Sequence, residues 1–228
     1  MDDVLGKGGF KHVRLCKLTG WFYRLTLSEP TGILVAVSEL QDAPLPAEQP
    51  GREAQFKREF AMLRTLRHPN IMNVFGECDF KDESGKGKTS FASEYHVAGN
   101  LFERLFRRGL FPSLRQRLLW ARDLSRALFY ISQRKPSVIH RDIKSGNVVI
   151  SSDNRAVLID FGLAVETNED GLAEWQPVGT LRWMSPEALG VEVHVISIDS
   201  ENDNDATGIA PSSDMWSLGC TLIELFAG

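Results

Sequence analysis

Two tracts decide how this chain reads: VIHRDIKSGNVVI, Val138–Ile150, and LIDFGLA, Leu158–Ala164. Between apolar runs they collect carboxylates at Asp142 and Asp160, cations at Arg141 and Lys144, and an amide at Asn147. The runs Asn147–Ser151 and Ala156–Ile159 flank the turn formers Ser152, Asp153 and Asn154, which predicts a β-hairpin. That hairpin would bring Asn147 and Asp160 to neighbouring strand ends. An amide oxygen and a carboxylate so placed suit Mg²⁺, a hard cation that takes oxygen ligands and substrate phosphates. Asp142 would then receive a proton from an attacking hydroxyl, and the chemistry suggested is phosphoryl transfer.

The composition sets the frame for that chemistry. With 228 residues the chain has room for one or two lobes with real cores. A net charge of −4 argues against nucleic acid as the partner. Cys16, Cys78 and Cys220 are widely spaced and odd in number, so reduced thiols in a cytoplasmic protein are expected. No apolar run is long enough to span a bilayer.

Outward from the two tracts, the first part of the chain reads as sheet. Val13–Leu18, Phe22–Leu27, Ile33–Val37, Ile71–Phe75 and Ser90–Tyr95 have strand composition. Asp42–Gly51 carries three prolines and reads as loop. A helix is expected over Arg52–Arg67, with Phe56, Phe60, Leu63 and Leu66 as its buried stripe, stopped at His68-Pro69-Asn70. The second part reads as helical. Asn100–Arg108 is a short helix, and Ser113 caps a long one reaching Arg134. Leu114, Leu118, Ala121, Leu124, Leu128 and Ile131 are its expected core face. Val191–Ser213 is acidic and polar and reads as an exposed, mobile insertion, after which Asp214 caps a helix to Phe226.

The deciding tracts resemble the catalytic loop and the DFG motif of eukaryotic protein kinases: His140-Arg141-Asp142, Lys144 and Asn147, then Asp160-Phe161-Gly162. The likeness extends along the chain. Leu5–Val13 looks like the glycine-rich loop, Glu94-Tyr95 like the start of the hinge, and Gly179-Thr180 through Glu187 like the end of the activation segment. Asp214–Gly219 looks like the start of the large lobe's central helix. The resemblance implies an α+β, bilobal kinase fold. Residues 1–95 would form a small antiparallel β lobe with one helix, and 96–228 a larger, mainly helical lobe that stops short of the family's last helices.

It also implies roles. ATP and Mg²⁺ are the expected cofactors, and a protein bearing a serine or threonine hydroxyl is the expected substrate. Asp142 would act on that hydroxyl, Lys144 would face the γ-phosphate, and Asn147 and Asp160 would hold the metal. Gly6, Gly8 and Gly9 would let backbone amides approach phosphate, and Val13, Ala36 and Val149 would sandwich adenine, with Glu94 at the hinge. Glu59 would pair with the phosphate-binding lysine. Glu187 is expected to be a buried carboxylate deprived of its partner. The acids Glu166, Glu169, Asp170 and Glu174 are expected near Arg141 in place of a phosphate.

The pattern is broken at one position. The third strand, where the family carries V-A-x-K, reads Val35-Ala36-Val37-Ser38, and the glycine-rich loop carries Lys11 where its third glycine belongs. Phe10-Lys11-His12-Val13 is similar to the loop of the with-no-lysine kinases, in which a lysine from this loop replaces the strand lysine. Phe161 and Gln176 depart from that subfamily, and Arg182–Glu187 looks closer to tyrosine-kinase-like serine/threonine kinases. Two functions follow: a serine/threonine kinase using Lys11 as its phosphate lysine, or a catalytically dead pseudokinase acting as a scaffold.

Overall fold

The computed structural model describes residues 4–7, 11–18, 33–78, 80–81, 87–109, 111–191 and 208–227. The expected strand Phe22–Leu27, Gly8, Gly9 and most of the acidic stretch lie outside them. The chain divides into two compact units, Met1–Arg67 with Met72–His96, and His68–Ile71 with Val97–Gly228.

The first unit is built on an antiparallel five-stranded sheet. Its strands are β1 (Val4–Lys7), β2 (Lys11–Leu18), β3 (Ile33–Leu40), β4 (Val74–Glu77) and, beyond the short pair β5 (Phe80–Lys81) and β6 (Gly87–Lys88), β7 (Ser90–Glu94). Their order is β1-β2-β3-β7-β4. Alternation along β3 separates two faces. Val35 and Val37 pack with Ala92, Cys16, Phe75 and Cys78. Ala36, Ser38 and Leu40 point the other way and are also buried. The strand runs three residues past the expected end at Val37, because the β2 and β7 ladders continue through Ser38 and Glu39.

Helix α1 (Gln49–Thr65) begins inside the proline-rich stretch whose composition suggests loop. Pro50 sits in its first turn, where the missing N–H would have had no helical partner. Phe56, Glu59, Phe60 and Leu63 are its buried residues, and Phe56 and Phe60 both pack on the Phe91 ring, with centroids 5.1 and 5.3 Å apart. Ile71, which belongs to the second unit, is not a strand residue but makes a single bridge to Leu158 of that same unit.

The second unit holds a π-helical turn at Glu103–Arg107, α2 (Leu114–Ser132), β8 (Val138–Ile139), β9 (Val148–Ile150), β10 (Ala156–Leu158), β11 (Val165–Glu166) and α3 (Ser212–Ala227). Ser113 Oγ caps α2 by accepting from the Gln116 amide at 3.3 Å. The buried face of α2 is Trp120, Asp123, Leu124, Ala127, Leu128 and Ile131, whereas Leu114 and Leu118 are 65% and 55% exposed. Helical rotation explains the correction, since six residues leave Leu118 about 120° round the axis from Leu124. β9 and β10 form the expected hairpin, with Asn154 at positive φ in its turn. No disulfide joins the three cysteines. Among the described residues no helix is long and apolar enough to cross a membrane.

Candidate active site

In the second unit the sequence between β8 and β9 is a loop with one 3₁₀ turn, Ser145–Asn147. Its polar side chains converge on Asp142. Lys144 Nζ donates to Asp142 Oδ2 at 2.7 Å, and Asn147 Nδ2 donates to the same oxygen and to the Asp142 carbonyl, each at 2.8 Å. Thr180 Oγ1 donates to Asp142 Oδ1 at 2.6 Å and accepts from Lys144 at 2.7 Å. Three residues of one motif and a threonine from another therefore form one closed cluster. Thr180 stands out in the sequence only as part of the Gly179-Thr180 motif, and its distance of 38 positions from Asp142 hides the contact.

Gly179 makes this closure possible. Its φ is +123°, and a Cβ there would lie 2.7 Å from the Arg141 carbonyl oxygen. Only glycine tolerates both the torsion and the approach. Behind the cluster, Ile139, Ala173, Met184, Ala188 and Ile209 form an apolar core with Val165 packed against it.

The hairpin places Asp160 one residue beyond Ile159, whose amide donates to the Asn147 carbonyl at 2.9 Å. Asp160 and Arg141 both sit at φ 66°, a left-handed conformation that non-glycine residues adopt at a cost. Asn147 commits its Nδ2 to Asp142, so its Oδ1 is the atom that remains for a cation. Asn147 and Asp160 offer hard oxygen donors, and among the described residues no group of three His, Cys, Asp or Glu side chains forms a metal cage. That donor set fits Mg²⁺, which keeps waters and takes phosphate oxygens, and does not fit a structural zinc. His140 closes the floor of the loop, its ring edge-on to Phe161 at 4.6 Å and its Nε2 3.1 Å from the Ile159 carbonyl oxygen. Val149 is half-buried in β9.

The loop is held from below by α3. Asp214, Ser217, Thr221 and Glu224 lie at steps of three, four and three, which puts them on one face of that helix. Asp214 is a first-turn residue rather than the expected cap. Its carboxylate accepts from the His140 and Arg141 amides at 2.7 and 2.9 Å. Complete burial pushes the Asp214 carboxyl up from its usual range, against the opposing pull of the charges and amides of His140 and Arg141. Thr221 reaches the Ile143 carbonyl at 3.5 Å, and Ser217 donates to the Trp183 carbonyl at 2.6 Å. Glu224 accepts from the Ser145 hydroxyl and amide at 2.9 and 3.2 Å and from Trp183 Nε1 at 3.0 Å.

Two expectations in this unit are corrected. Arg141 meets none of the four segment acids. It donates instead to the Leu163 carbonyl at 2.6 Å and to Gln176 Oε1 at 3.3 Å. Burial lowers its pKa, with Asp214 opposing that shift. Glu187 is partly exposed, not buried without compensation, and accepts from Ser213 Oγ at 2.7 Å. Its carboxyl sits below the usual range. Burial, the largest influence, works against that shift, and the Ser213 hydroxyl leads the hydrogen bonds that bring it about.

In the first unit, Lys11 is the residue of note. It opens β2 opposite Leu40, while Val13 stands opposite Ser38. Directly paired residues share a sheet face, so Lys11, Val13, Ser38 and Leu40 share one, with Lys11 a diagonal neighbour of Ser38. The Lys11 ammonium is buried and ion-paired with Glu59 of α1. Ala36 continues the same face of β3. Gly6 pairs with Val13 in β1, and Glu94 ends β7, where its amide donates to the Asn73 carbonyl at 3.1 Å.

Residues 2–228 match the protein kinase domain family. The cytokinesis protein sepH of Aspergillus terreus is 32% identical over 100% of this chain, which spans 14% of that protein. A probable serine/threonine-protein kinase of Dictyostelium discoideum is 31% identical over 99% of the chain and 30% of its own length. The probable serine/threonine-protein kinase PBL11 of Arabidopsis thaliana is 30% identical over the whole chain and 53% of its own length. The chain thus covers between about a seventh and about half of these relatives.

Proposed function

The chain belongs to the protein kinase domain family, and from that membership we propose that it transfers the γ-phosphate of ATP to serine or threonine hydroxyls of proteins. The observation that carries this reading is the Asp142 cluster. Thr180 Oγ1 already makes the contact that a substrate hydroxyl must make, donating to the Asp142 carboxylate. Oδ1 has capacity for a second donor, because a carboxylate oxygen accepts two. Asp142 orients the incoming hydroxyl and takes its proton. Lys144, bound to both Asp142 and Thr180, holds a positive charge beside that position. Asn147 and Asp160 would hold Mg²⁺, which neutralises developing charge on the phosphates when bound.

Lys11 supplies the cation that β3 lacks. A hydroxyl at Ser38 cannot balance phosphate charge, whereas an ammonium fixed by Glu59 can. Support comes from its origin on the same sheet face as Ser38. Catalysis then rests on positioning and charge neutralisation.

The rival reading, a pseudokinase that binds without transferring, is favoured by Ser38 alone. Mg²⁺-dependent phosphoryl transfer to a generic peptide, compared between the chain and Asp142→Asn, separates the two. A loss of about a hundredfold or more in Asp142→Asn supports transfer. Nucleotide binding with no transfer above the Asp142→Asn background supports the scaffold.

A further inference from the structure

A lysine at position 11 is held less firmly by the sheet than one at position 38. Residue 38 lies inside β3, with Val13 of β2 on one side and Phe91 of β7 on the other. Lys11 is the first residue of β2 and stands opposite Leu40, the last residue of β3. The described β1 ladder stops one residue short of it, at the Lys7–His12 pair. Strand ends open readily, because fewer neighbours hold each residue in place. The other face of the same two strand ends carries a staple. His12, Arg14 and Glu39 lie on that face, together with the apolar cluster of Val35, Val37 and Ala92. Glu39 is buried, and its Oε1 accepts from Arg14 Nε and from Gln41 Nε2, each at 2.9 Å, with His12 Nδ1 3.7 Å away. Among the described residues its Oε2 has no hydrogen-bond donor.

An apolar pair of similar volume is often no less stable than a buried ion pair, and a buried carboxylate oxygen without a donor is a cost. Glu39 therefore calls for a role other than stability. We propose that Glu39 is a positioning residue for Lys11. It gathers Arg14 of β2 and Gln41, one residue past β3, on a single carboxylate oxygen. That holds the two strand ends in register and fixes the point from which Lys11 reaches Glu59. Its catalytic consequence rests on the proposed relocated-lysine reading, and the link itself on geometry. Without Glu39 the start of β2 opens more often, the Lys11 ammonium spends less time in place, and the chemical step slows. A cation in the middle of β3 needs no such staple, because the ladders on both sides hold it.

The test uses the full chain and removes the pair as a unit, Arg14→Met with Glu39→Met, so that no buried charge is left uncompensated. Glu39→Gln, which keeps an acceptor oxygen without the charge, is the milder variant. Transfer from Mg²⁺-ATP to a generic peptide is measured as kcat/KM for ATP in two backgrounds. One is wild type, and the other is Lys11→Met with Ser38→Lys, where the cation sits inside β3. In the first the paired change is expected to lower kcat/KM about tenfold and Glu39→Gln about threefold. In the second the same changes should cost less than about twofold. Equal losses in both backgrounds mark general damage to the sheet and overturn the proposal, as does no loss in the first. Labelling reads the link without activity. Acylation of the Lys11 amine by an amine-reactive ester, followed by mass spectrometry, should quicken about fivefold or more in the paired variant, while the exposed Lys57 of α1 reacts at a constant rate. A wild-type chain that transfers no phosphate fails the kinase reading, and transfer that ignores Lys11 fails the relocated-lysine reading. Faster Lys11 labelling in the paired variant then still supports the staple, and unchanged labelling removes it in every case.

Discussion

Lys11 and Glu59, 48 residues apart in sequence, form an ion pair with both side chains buried in the first unit. Lys11 is 9% exposed and Glu59 2%. A charge removed from water to this degree is retained only when it is paired, so the pair constrains β2 and α1 together. Removing one partner leaves the other uncompensated. Lys11→Met is expected to cost about 3–5 kcal/mol of stability by denaturant unfolding. The double variant Lys11→Met with Glu59→Gln should regain most of it. On the proposed reading, Lys11→Met also reduces phosphoryl transfer about a hundredfold or more, and adding Ser38→Lys restores roughly a tenth of wild-type activity. Transfer indifferent to Lys11 rejects the relocated-lysine proposal.

Thr180 joins Asp142 and Lys144 through one hydroxyl. Thr180→Ser keeps that hydroxyl and should keep most activity, whereas Thr180→Val should lower kcat about tenfold. Gly179→Ala should be worse than Thr180→Val, because a methyl 2.7 Å from the Arg141 carbonyl displaces the whole turn. Steady-state kinetics on the three variants checks the order.

Arg141 is held by the neutral oxygens of Leu163 and Gln176. In the 163–178 segment the only hydroxyl is Thr167, which is buried with its amide bonded to the Ser137 carbonyl. Phosphatase treatment is therefore expected to leave activity unchanged. Gln176→Glu, which makes the contact charge-assisted, should raise activity, and Gln176→Ala should lower it about threefold. A phosphate found by mass spectrometry on Thr167, with activity lost on its removal, contradicts this expectation.

His68 supplies a pH dependence. Its Nδ1 accepts from the Asn70 amide at 3.1 Å, and its ring stacks on Tyr130 with centroids 5.1 Å apart. Burial first, and Arg126 second, push its pKa below 6.5, with Asp123 opposing. The unfolded chain then binds the proton more readily than the folded one. The stabilisation is complete above pH 6.5 and is lost as pH falls through the lowered folded value. Thermal melts should show stability falling from pH 7.5 towards pH 5.5, with a shallower slope in His68→Gln. An NMR titration placing the His68 midpoint above 6.5 contradicts the assignment.

Part of this arrangement is legible in the amino-acid sequence. The hairpin around Asn154, the cap at Ser113 and the Asp142-Lys144-Asn147 spacing follow from local rules of turns, caps and catalytic loops. Even Glu59 leaves a trace. It lies within the Phe56–Leu63 stripe of α1, where an acid can be buried only opposite a cation. The polar steps Asp214, Ser217, Thr221 and Glu224 leave a similar trace in an apolar helix. Local rules assign Asp214 to a cap, because the loop whose amides its carboxylate accepts from lies some 75 residues away in sequence.

Sequence alone determined the family, through the catalytic-loop and DFG motifs, and most of the element types, because those depend on short motifs, on periodicity and on neighbours a few positions away. Tertiary structure decided the partners. Thr180 with Asp142, Gln176 with Arg141 and Glu224 with Ser145 and Trp183 are all separated by 35 residues or more. Contacts at that range are selected by how strands register and helices rotate against one another. A buried charge then takes whichever complementary group the fold brings within reach.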